Sequence, residues 1–268
     1  MLSAETWTGS SRPLRGEVAI VTGGARGIGQ AYARRLARMG ADVAVLDACL
    51  SLPEDGRRTV DEVEEQGVRT LEIEVDLSDE DRTDAAVRAV TEAFGPASVL
   101  VCNAGGGGGG EMWENSPLQI DIEAVRRANE ANLVTTATVC RAAVPAMVER
   151  GAGKVVTVGS TSGIVPRPDG GYAHYAAAKA GVVMYTKALA REVAPYGVHA
   201  NCLIPGAVET VRIARKIESV GREGVVAGIP LGRIATVEDC ADVLEFLAGP
   251  LSNYVTGTVL RCDGGLAL

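Results

Sequence analysis

Short apolar runs alternate along the chain with longer segments in which hydrophobic residues recur at helical spacing. Short uninterrupted apolar runs between such segments are typical of buried strands. This alternation, without repeats or linkers, predicts one α/β domain with about seven strands in a doubly wound parallel sheet and helices on both faces. The predicted strands are 17–22, 41–46, 70–75, 97–102, 154–158, 197–204 and 255–265. The predicted helices end at Met39, span 53–66, 79–94, 121–150, 172–194 and 211–226, and begin again at Thr236.

The first predicted strand runs directly into a glycine-rich turn. Gly23, Gly27 and Gly29 lie between this strand and a helical pattern. Glycines let backbone N–H groups approach a ligand closely, and the N-terminus of the following helix carries partial positive charge. Strand, glycine loop and helix in this order predict a Rossmann-like site for the pyrophosphate of a dinucleotide. The simpler alternative is a tight turn that leads into a helix.

Asp47 closes the second predicted strand, about 20 residues after Gly27. An acidic side chain in this place accepts hydrogen bonds from the ribose hydroxyls of adenosine and repels a 2′-phosphate. The sequence therefore favours NAD over NADP as the cofactor. Arg26 is the opposing signal, because an arginine in the glycine loop is able to contact that phosphate.

Two further predicted strands end in polar or small residues. Asp76 follows the third strand, where it either meets the edge of adenine or caps the next helix through Ser78. Residues 103–105, Asn-Ala-Gly, follow the fourth strand, and glycine continues through 106–110. Ligands gather at the carboxyl ends of strands in open α/β sheets, so we expect 103–105 at the cofactor. The later glycines fit a mobile surface loop equally well.

The predicted helix 172–194 carries the candidate for proton transfer. Tyr175 and Lys179 are four residues apart, which places them on one face of a helix. A nearby ammonium favours the phenolate over the phenol. A tyrosine tuned in this way is able to exchange a proton with an alcohol or carbonyl oxygen. The pair alone is weak evidence, since many such pairs are ordinary neighbours on a helix surface, and its weight comes from the other motifs.

Composition narrows the class of protein. Hydrophobic residues make up 47% and aromatic residues 4% of the 268 residues, with 33 glycines, which fits close packing of helices on a sheet. The net charge of −8 argues against nucleic acid or an anionic membrane surface as the main partner. No uninterrupted apolar run reaches the ~18–20 residues that cross a bilayer. Residues 1–16 lack a signal-type apolar segment and are predicted to be a loose leader before a single domain, 17–268.

The cysteines and histidines predict neither disulfides nor a metal site. The six cysteines are widely spaced and contain no C-x-x-C motif, which predicts buried reduced thiols and a cytoplasmic protein. The two histidines, His174 and His199, are too few and too far apart in sequence to indicate a metal centre.

In combination, these motifs resemble the short-chain dehydrogenase/reductase family over about residues 17–265. The resemblance implies hydride transfer between NAD(H) and a secondary alcohol or ketone. The alternative is an NADPH-dependent carbonyl or 3-oxoacyl reductase, and Asp47 separates the two. The matching motifs are 22–29, 103–105, Asn132, Ser160, Tyr175 with Lys179, 205–206, 254–257 and 263–265.

The resemblance implies a role for each site residue. Tyr175 would be the general acid or base, Lys179 would hold the nicotinamide ribose, and Ser160 would bind the substrate oxygen. Asn132 would support a water that links Lys179 to solvent, and Thr210 would contact the nicotinamide carboxamide. Fixed donors in a dry pocket suit a developing alkoxide. The implied cofactor-binding set is Gly23, Arg26, Gly27, Ile28, Gly29, Asp47, Asp76, Leu77, Asn103, Ala104, Gly105, Tyr175, Lys179, Pro205, Gly206, Val208 and Thr210.

The serine position departs from the usual spacing of the family. The family usually places its serine thirteen residues before the tyrosine, which is Ser162 in this chain. The local pattern of strand, Gly, Ser, two residues and Gly selects Ser160 instead, with Gly163 as its second glycine. We expect Ser160 to act, with the two extra residues taken up in the loop 164–172.

The substrate is constrained only by the residues near a predicted lid at 208–229. Trp113 and 164–172 are expected nearby, and mostly apolar residues predict a mid-sized, partly apolar alcohol or ketone. Arginines in these segments either hold an anionic group of the substrate or are solvated surface charges. They are Arg167, Arg212 and Arg215.

Other classes of protein fit less well. A dinucleotide sensor without catalysis is expected to have a broken Ser–Tyr–Lys set, and here the set is intact. A sugar-nucleotide epimerase or dehydratase needs a larger substrate region than the chain after Gly206 provides. The resemblance also implies a homotetramer built through 121–150, 172–194 and the apolar tail 266–268, although these faces would equally suit core packing.

Overall fold

The computed structural model describes residues 12–51, 56–107, 116–167 and 170–268, except for most side chains of 211–220. Strands and helices alternate through these ranges as the sequence predicts. The strands are β1 (Val18–Thr22), β2 (Asp42–Asp47), β3 (Thr70–Glu74), β4 (Val99–Cys102), β5 (Gly153–Val158), β6 (Val198–Pro205) and β7 (Val259–Cys262). The helices are α1 (Gly27–Arg38), α2 (Thr59–Glu64), α3 (Glu80–Phe94), α4 (Ile122–Asn129), α5 (Thr135–Arg150), α6 (Ala173–Val193), α7 (Val211–Val226) and α8 (Val237–Ala248). A kink at Gly221, whose φ is +75°, divides α7.

The strands form one parallel sheet in the order β3-β2-β1-β4-β5-β6-β7. Every strand pair in it is parallel, from Ala19 opposite Val99 between β1 and β4 to Cys202 opposite Val259 between β6 and β7. The chain builds outward from β1 in one direction and then returns to build from β4 in the other. The carboxyl ends of β1 and β4 therefore mark the point where ligands bind in doubly wound sheets. The predicted fold class is confirmed.

The central strands are buried on both faces, because their side chains alternate between two hydrophobic cores. Ala19 and Val21 of β1 join a core with α1 and α8, whereas Val18 and Ile20 join a second core with α3, α5 and the end of α6. Each fully buried aliphatic side chain contributes about 1.5–3 kcal/mol of transfer free energy. Helices thus cover both faces of the sheet and hold its carboxyl edge in a fixed shape.

Three predicted element bounds are wrong, and local backbone conformation explains two of them. The predicted helix 53–66 is reduced to α2, because Gly56 has a left-handed φ of +77°; residues 52–55 lie outside the described residues. The predicted strand 255–265 is reduced to β7, because Gly257, Gly264 and Gly265 have φ of +70°, +62° and +90°. Positive φ is incompatible with a regular strand or helix.

The third difference lies in the predicted helix 121–150. A proline inside a helix commonly breaks it, but Pro145 lies inside α5 without ending it. The irregular turn is instead a π-helical turn at Glu130–Val134, which joins α4 to α5 and contains Asn132. The continuous segment Ile122–Arg150 is long and apolar enough to cross a membrane by length and composition, but half of its most apolar window is buried in this domain. It is a core helix of the fold.

The start of the described chain packs against the domain. Residues 12–16 belong to the predicted loose leader, yet Leu14 is buried and its N–H donates to the carbonyl oxygen of Met39 at 2.8 Å. The guanidinium of Arg12 donates to the carbonyl oxygen of Gln66 at 2.9 Å. These bonds tie the residues before β1 to the ends of α1 and α2.

Candidate active site

The loops after β1, β2, β4, β5 and β6 surround a cavity of about 1230 Å³. It lies at the carboxyl edge of the sheet, where the strand order reverses. Of the residues that the sequence singles out for the cofactor and for catalysis, all line this cavity except Asn132. The structure therefore brings together side chains that are up to about two hundred positions apart in sequence.

The glycine loop leaves room for a ligand only on its cavity side. A Cβ on Gly29 would overlap the carbonyl oxygen of Gly23 and lie 2.6 Å from Nδ2 of Asn103. A Cβ on Gly27, whose φ is +58°, would meet only the Thr210 methyl group at 3.7 Å. The open side faces the first turn of α1, which carries no acidic residue. Backbone N–H groups at an open helix N-terminus fit a pyrophosphate.

Thr22 joins the ends of β1 and β4, a role that the sequence analysis missed. Its hydroxyl accepts hydrogen bonds from the N–H groups of Asn103 and Ala104, both at 3.0 Å, and donates to Val101 at 3.3 Å. Asn103 returns a bond of its own, since Nδ2 donates to the carbonyl oxygen of Gly23 at 2.9 Å. The polar Thr at the end of an apolar strand was the available signal.

Asp47 lies at the rim of the cavity and supports the glycine loop. Its Oδ2 accepts a hydrogen bond from the N–H of Ala25 at 3.0 Å, and its Oδ1 accepts one from the N–H of Cys49 at 3.2 Å. Arg26 lines the same end of the cavity. A hydrogen bond to Ser51 lowers the pKa of the Cys49 thiol, and Arg26 lowers it further. Because Cys49 contacts Asp47 and is also influenced by Arg26, the carboxylate of Asp47 and the guanidinium of Arg26 lie close together.

Asp76 does not cap the following helix. Its Oδ1 accepts hydrogen bonds from the N–H of Ser78 at 3.0 Å and from the Ser78 hydroxyl at 2.8 Å. These bonds, the backbone one first, lower the pKa of the Asp76 carboxyl. The cap of α3 is Asp79, which accepts from the N–H of Arg82 at 3.0 Å. The predicted contact between Asp76 and Ser78 is thus present, but Asp79 occupies the cap position. Asp76 also borders the cavity, and its contact with adenine stays a prediction.

Lys179 and Tyr175 lie on the cavity side of α6, as their spacing predicts. The ammonium of Lys179 is buried and donates to the carbonyl oxygen of Val158 at 2.7 Å. Its Nζ lies 5.8 Å from the centre of the Tyr175 ring. A positive charge fixed near a phenol that faces a cavity is an arrangement suited to proton transfer.

Ser160 and Ser162 both line the cavity, at the end of β5. Ser160 has extended backbone, and its hydroxyl oxygen accepts from the N–H of Ser162 at 3.3 Å. The turn that follows lies close to α6, because a Cβ on Gly163 would be 2.8 Å from the carbonyl carbon of Lys179. Either hydroxyl is within the part of the cavity formed by β5 and α6, so the choice of Ser160 remains a prediction.

Asn132 lies behind the cavity wall and holds the loop after β4. Its Nδ2 donates to the carbonyl oxygens of Gly106 and Ala128, both at 2.7 Å, and its Oδ1 accepts from the N–H of Gly106 at 3.1 Å. The side chain is completely buried. In the described residues no hydrogen bond joins Asn132 to Lys179, and its role with a bound water stays a prediction.

The carboxyl-terminal tail is part of the cavity wall, which the sequence analysis did not expect. Leu266 and Ala267 line the cavity. The carboxylate of Asp263 accepts from the N–H groups of Gly265 and Ala267, both at 3.0 Å, and Arg261 donates to the carbonyl oxygen of Ala267. The Asp-Gly-Gly sequence was the signal for this tight, pinned turn.

The aromatic residues just before Tyr175 are another feature that was not expected from the sequence. The ring of Tyr172 stacks on that of Tyr175, with centroids 4.5 Å apart and planes at 23°. Tyr172 also lines the cavity, next to Val165, Pro166 and Arg167. His174 is buried, which lowers its pKa, and is hydrogen-bonded to the backbone of Gly107.

Several predicted neighbours fall outside the described residues. They are Trp113, glycines 108–110 and the side chains of Arg212 and Arg215. Arg167 borders the cavity, as one of its two interpretations requires. In the parts of the chain that the structure covers, no three His, Cys, Asp or Glu side chains form a group able to hold a metal ion.

Comparison with known proteins shows similarity over nearly the whole chain. A family model described as enoyl-(acyl carrier protein) reductase matches residues 23–267. The chain is 45% identical over 264 residues to cyclohexanol dehydrogenase of Rhodococcus sp. strain TK6, with 95% of this chain and 97% of that protein covered. It is 32% identical over 251 residues to 3-oxoacyl-(acyl-carrier-protein) reductase FabG of Escherichia coli strain K12, with 94% and 97% covered. A crystal structure of NAD⁺-bound xylitol dehydrogenase has a TM-score of 0.85 at 26% identity, with 94% and 99% covered.

Proposed function

Because the chain belongs to the short-chain dehydrogenase/reductase family, we propose that it is an NAD-dependent dehydrogenase of alicyclic secondary alcohols, for which cyclohexanol is the simplest substrate. The sequence predicts an oxidoreductase that interconverts a secondary alcohol and a ketone, and the similarity to cyclohexanol dehydrogenase confirms this class of function. The observation that carries the proposal is the buried Lys179 ammonium, fixed to Val158 at 2.7 Å beside a tyrosine that lines the cavity.

Three side chains take the proton from the alcohol and hold its oxygen. Tyr175 accepts the hydroxyl proton of the substrate, and the adjacent Lys179 ammonium stabilises the phenolate that does so. Ser160 donates a hydrogen bond to the substrate oxygen and stabilises its developing negative charge. The pyrophosphate of the cofactor would be held by residues 23–29 and its adenosine ribose by Asp47. When bound, NAD⁺ supplies the acceptor for the hydride from the carbinol carbon.

NAD is favoured over NADP by the position of Asp47. Its carboxylate is fixed by Ala25 and Cys49 at the rim of the cavity, with lone pairs left for ribose hydroxyls. A 2′-phosphate at this place would be repelled by the carboxylate. The similar xylitol dehydrogenase structure contains NAD⁺, which supports the same choice.

An NADPH-dependent 3-oxoacyl reductase is the second candidate. Arg26 lines the same end of the cavity as Asp47 and is a suitable partner for a 2′-phosphate. The Escherichia coli relative is a reductase of that class, at 32% identity. The 45% identity to a cyclohexanol dehydrogenase gives more support to the alcohol.

Part of the cavity wall favours an apolar substrate. Val165, Pro166, Leu266 and Ala267 all border the cavity. Their side chains have no group that could form a hydrogen bond with a polyol or a sugar. A compact hydrocarbon ring with one hydroxyl group fits this chemistry better, because its apolar surface is removed from water without leaving polar groups unpaired.

The protein is also expected to be a cytoplasmic homotetramer. In the described residues none of the six cysteines is in a disulfide, as expected in a reducing compartment. Ile122, Val134 and Met184 are large apolar side chains that α4, the π-helical turn and α6 leave exposed in the single chain. Sedimentation at micromolar concentration tests the assembly: a tetramer supports it, and a monomer contradicts it.

Steady-state oxidation of cyclohexanol tests the proposed function. The purified protein is assayed with NAD and, separately, with NADP, and formation of the reduced cofactor is followed by absorbance. The proposal predicts turnover with NAD and a kcat/KM at least about tenfold lower with NADP. Turnover of 3-oxoacyl thioesters with NADPH, without oxidation of cyclohexanol, would establish the reductase instead.

A further inference from the structure

Tyr172 has an unusual backbone conformation. Among the residues that the structure describes, it alone has a positive φ without being glycine, with φ 67° and ψ 23°. A bulky side chain rarely adopts this left-handed conformation, which persists only where the surroundings impose it. Tyr172 is the residue directly before α6, and it precedes Tyr175 by one turn.

The left-handed turn places the Tyr172 ring against the candidate proton acceptor. The rings of Tyr172 and Tyr175 are stacked, with centroids 4.5 Å apart and planes at 23°. Tyr172 also meets the His174 ring edge to face, with centroids 5.3 Å apart at 82°. His174 is 1% exposed and is hydrogen-bonded to the backbone of Gly107. The Tyr172 ring therefore packs between the buried imidazole of His174 and the phenol of Tyr175.

Tyr172 is not an ordinary core residue, because it borders the cavity. Only 4% of the residue is exposed, and it lines the same cavity as Tyr175 and Ser160. Core packing alone would require neither a left-handed backbone nor a position on the cavity wall. The small exposed part of Tyr172 therefore belongs to the wall of the cavity that Tyr175 also lines.

We infer that Tyr172 positions Tyr175 and selects cyclic over open-chain alcohols. Its ring restricts the rotation of the Tyr175 ring, which keeps the phenol aimed at the substrate oxygen. A rigid hydrocarbon ring makes dispersion contacts with the part of this aromatic side chain that borders the cavity. An open chain with the same number of carbons loses more torsional freedom when it binds there. The substrate part of this inference rests on the proposed function.

Two substitutions separate the ring from the backbone turn. Tyr172→Asn removes the ring and keeps a residue that tolerates left-handed backbone, so the turn before α6 is retained. Tyr172→Phe keeps the ring and therefore the stacking. Tyr254→Ala is the control, since Tyr254 is completely exposed and does not line the cavity. Each protein is assayed with NAD and either cyclohexanol or 2-hexanol, and NADH affinity and thermal midpoint are measured on the same samples.

We expect Tyr172→Asn to lower kcat for cyclohexanol by about tenfold or more, because a misplaced reacting group is costly. Its ratio of kcat/KM for cyclohexanol over 2-hexanol falls by about fivefold or more, within the range of one pocket contact. Its NADH affinity stays within about twofold of the parent, since the cofactor-binding residues are unchanged. Tyr172→Phe recovers most of both kcat and selectivity, and Tyr254→Ala matches the parent.

Several results would overturn the inference. A Tyr172→Asn protein with parental kcat and selectivity would do so, as would a Tyr172→Phe protein that is as impaired as Tyr172→Asn. Loss of NADH affinity and thermal stability together with kcat in Tyr172→Asn would show a purely structural residue. If the parent oxidises no secondary alcohol with either cofactor, the proposed function fails and the inference falls with it. An active parent with an unaffected Tyr172→Asn variant overturns the inference alone.

Discussion

The ammonium nitrogen of Lys179 lies 5.8 Å from the centre of the Tyr175 ring and is held there by a 2.7 Å hydrogen bond to the carbonyl oxygen of Val158. The lysine is almost fully buried, and it lines the same cavity as the phenol. Because Val158 is the last residue of β5, the sheet itself fixes the position of this charge. The proposed proton transfer depends on this arrangement.

Replacing Lys179 by methionine tests that dependence. We expect Lys179→Met to lower kcat/KM for alcohol oxidation by about 100-fold, because the charge that stabilises the phenolate is removed. Lys187 lies two turns further along α6 and is exposed. Lys187→Met is therefore the matched control and should retain parental kcat/KM. Similar losses in both variants would mean that the effect is not specific to the site.

Single alanine substitutions distinguish the roles of the two serines at the end of β5. We expect Ser160→Ala to lower kcat by about 10- to 100-fold, because a hydrogen-bond donor to the substrate oxygen is lost. Ser162→Ala should cost no more than about threefold, since Ser162 is not assigned to the substrate. The measurement is steady-state turnover of cyclohexanol. The reverse pattern would assign the role to Ser162, which has the usual spacing of the family.

We expect cofactor choice to depend on the charge of Asp47. Asp47→Asn keeps an oxygen that can accept from the Ala25 N–H, and it removes the negative charge together with the acceptor of the Cys49 N–H. We expect NADPH affinity to rise about tenfold and NADH affinity to fall a few-fold, because repulsion of the 2′-phosphate is relieved. Titration with each reduced cofactor, followed by nicotinamide fluorescence, measures both. Asp61→Asn, an exposed change of the same charge in α2, serves as the control. An unchanged ratio of affinities would remove Asp47 from cofactor selection.

Gly29 tests the packing of the glycine loop independently of activity. A Cβ there would overlap the Gly23 carbonyl oxygen, so Gly29→Ala should destabilise the protein by about 1–3 kcal/mol. For a domain of this size that lowers the thermal midpoint by about 2–4 °C per kcal/mol. Gly228→Ala is the control, because its nearest contact would be the Leu266 side chain at an ordinary 3.5 Å. Equal midpoints for the two variants would contradict the close approach.

The burial of Lys154 is expected to make the stability of the protein depend on pH. Burial lowers its pKa from 10.5 to about 8, and its ammonium donates to the Ser252 hydroxyl at 3.2 Å. Between about pH 8 and 10.5 the unfolded chain retains a proton that the folded chain has lost. The free energy of unfolding therefore rises with pH across that window. Below about pH 8 the folded protein bears the full cost of burying the charged ammonium.

Lys154→Met should therefore be more stable than the parent at pH 7, because the buried charge is removed while Ser252 still donates to Leu247 and Gly249. The advantage should shrink as the pH rises from about 8 to about 10.5. Urea unfolding at pH 7 and at pH 10 measures it. A variant that is less stable than the parent at pH 7 would contradict a net cost of burial.

The sequence predicts the sheet and most of the site because both follow from local patterns. Apolar runs locate the strands, and the glycine loop, Asp47 and the Tyr175–Lys179 spacing are each contained in one short segment. The starts of α2 and β7 were predicted too early. Gly56 and Gly257 have left-handed backbone, and the sequence alone does not distinguish such a glycine from one inside a helix or strand.

The remaining features depend on contacts between distant parts of the chain. Thr22 joins β1 to β4, Asn132 holds Gly106, and the tail at Leu266 and Ala267 closes the cavity. None of these pairings has a periodicity or a short spacing that a pattern can reveal. The left-handed backbone of Tyr172 was also missed, because Gly170 and Gly171 directly precede it and a glycine is the residue expected to adopt that conformation.

Transfer of an isotope label tests the central claim most directly. The purified protein is incubated with NAD⁺ and cyclohexanol that carries deuterium at the carbinol carbon, and the reduced cofactor is analysed by mass spectrometry. We predict cyclohexanone and NADH that contains the deuterium, with transfer suppressed by about 100-fold or more in Tyr175→Phe. Absence of labelled NADH, or labelling that occurs with NADP⁺ and not with NAD⁺, would contradict an NAD-dependent alcohol dehydrogenase.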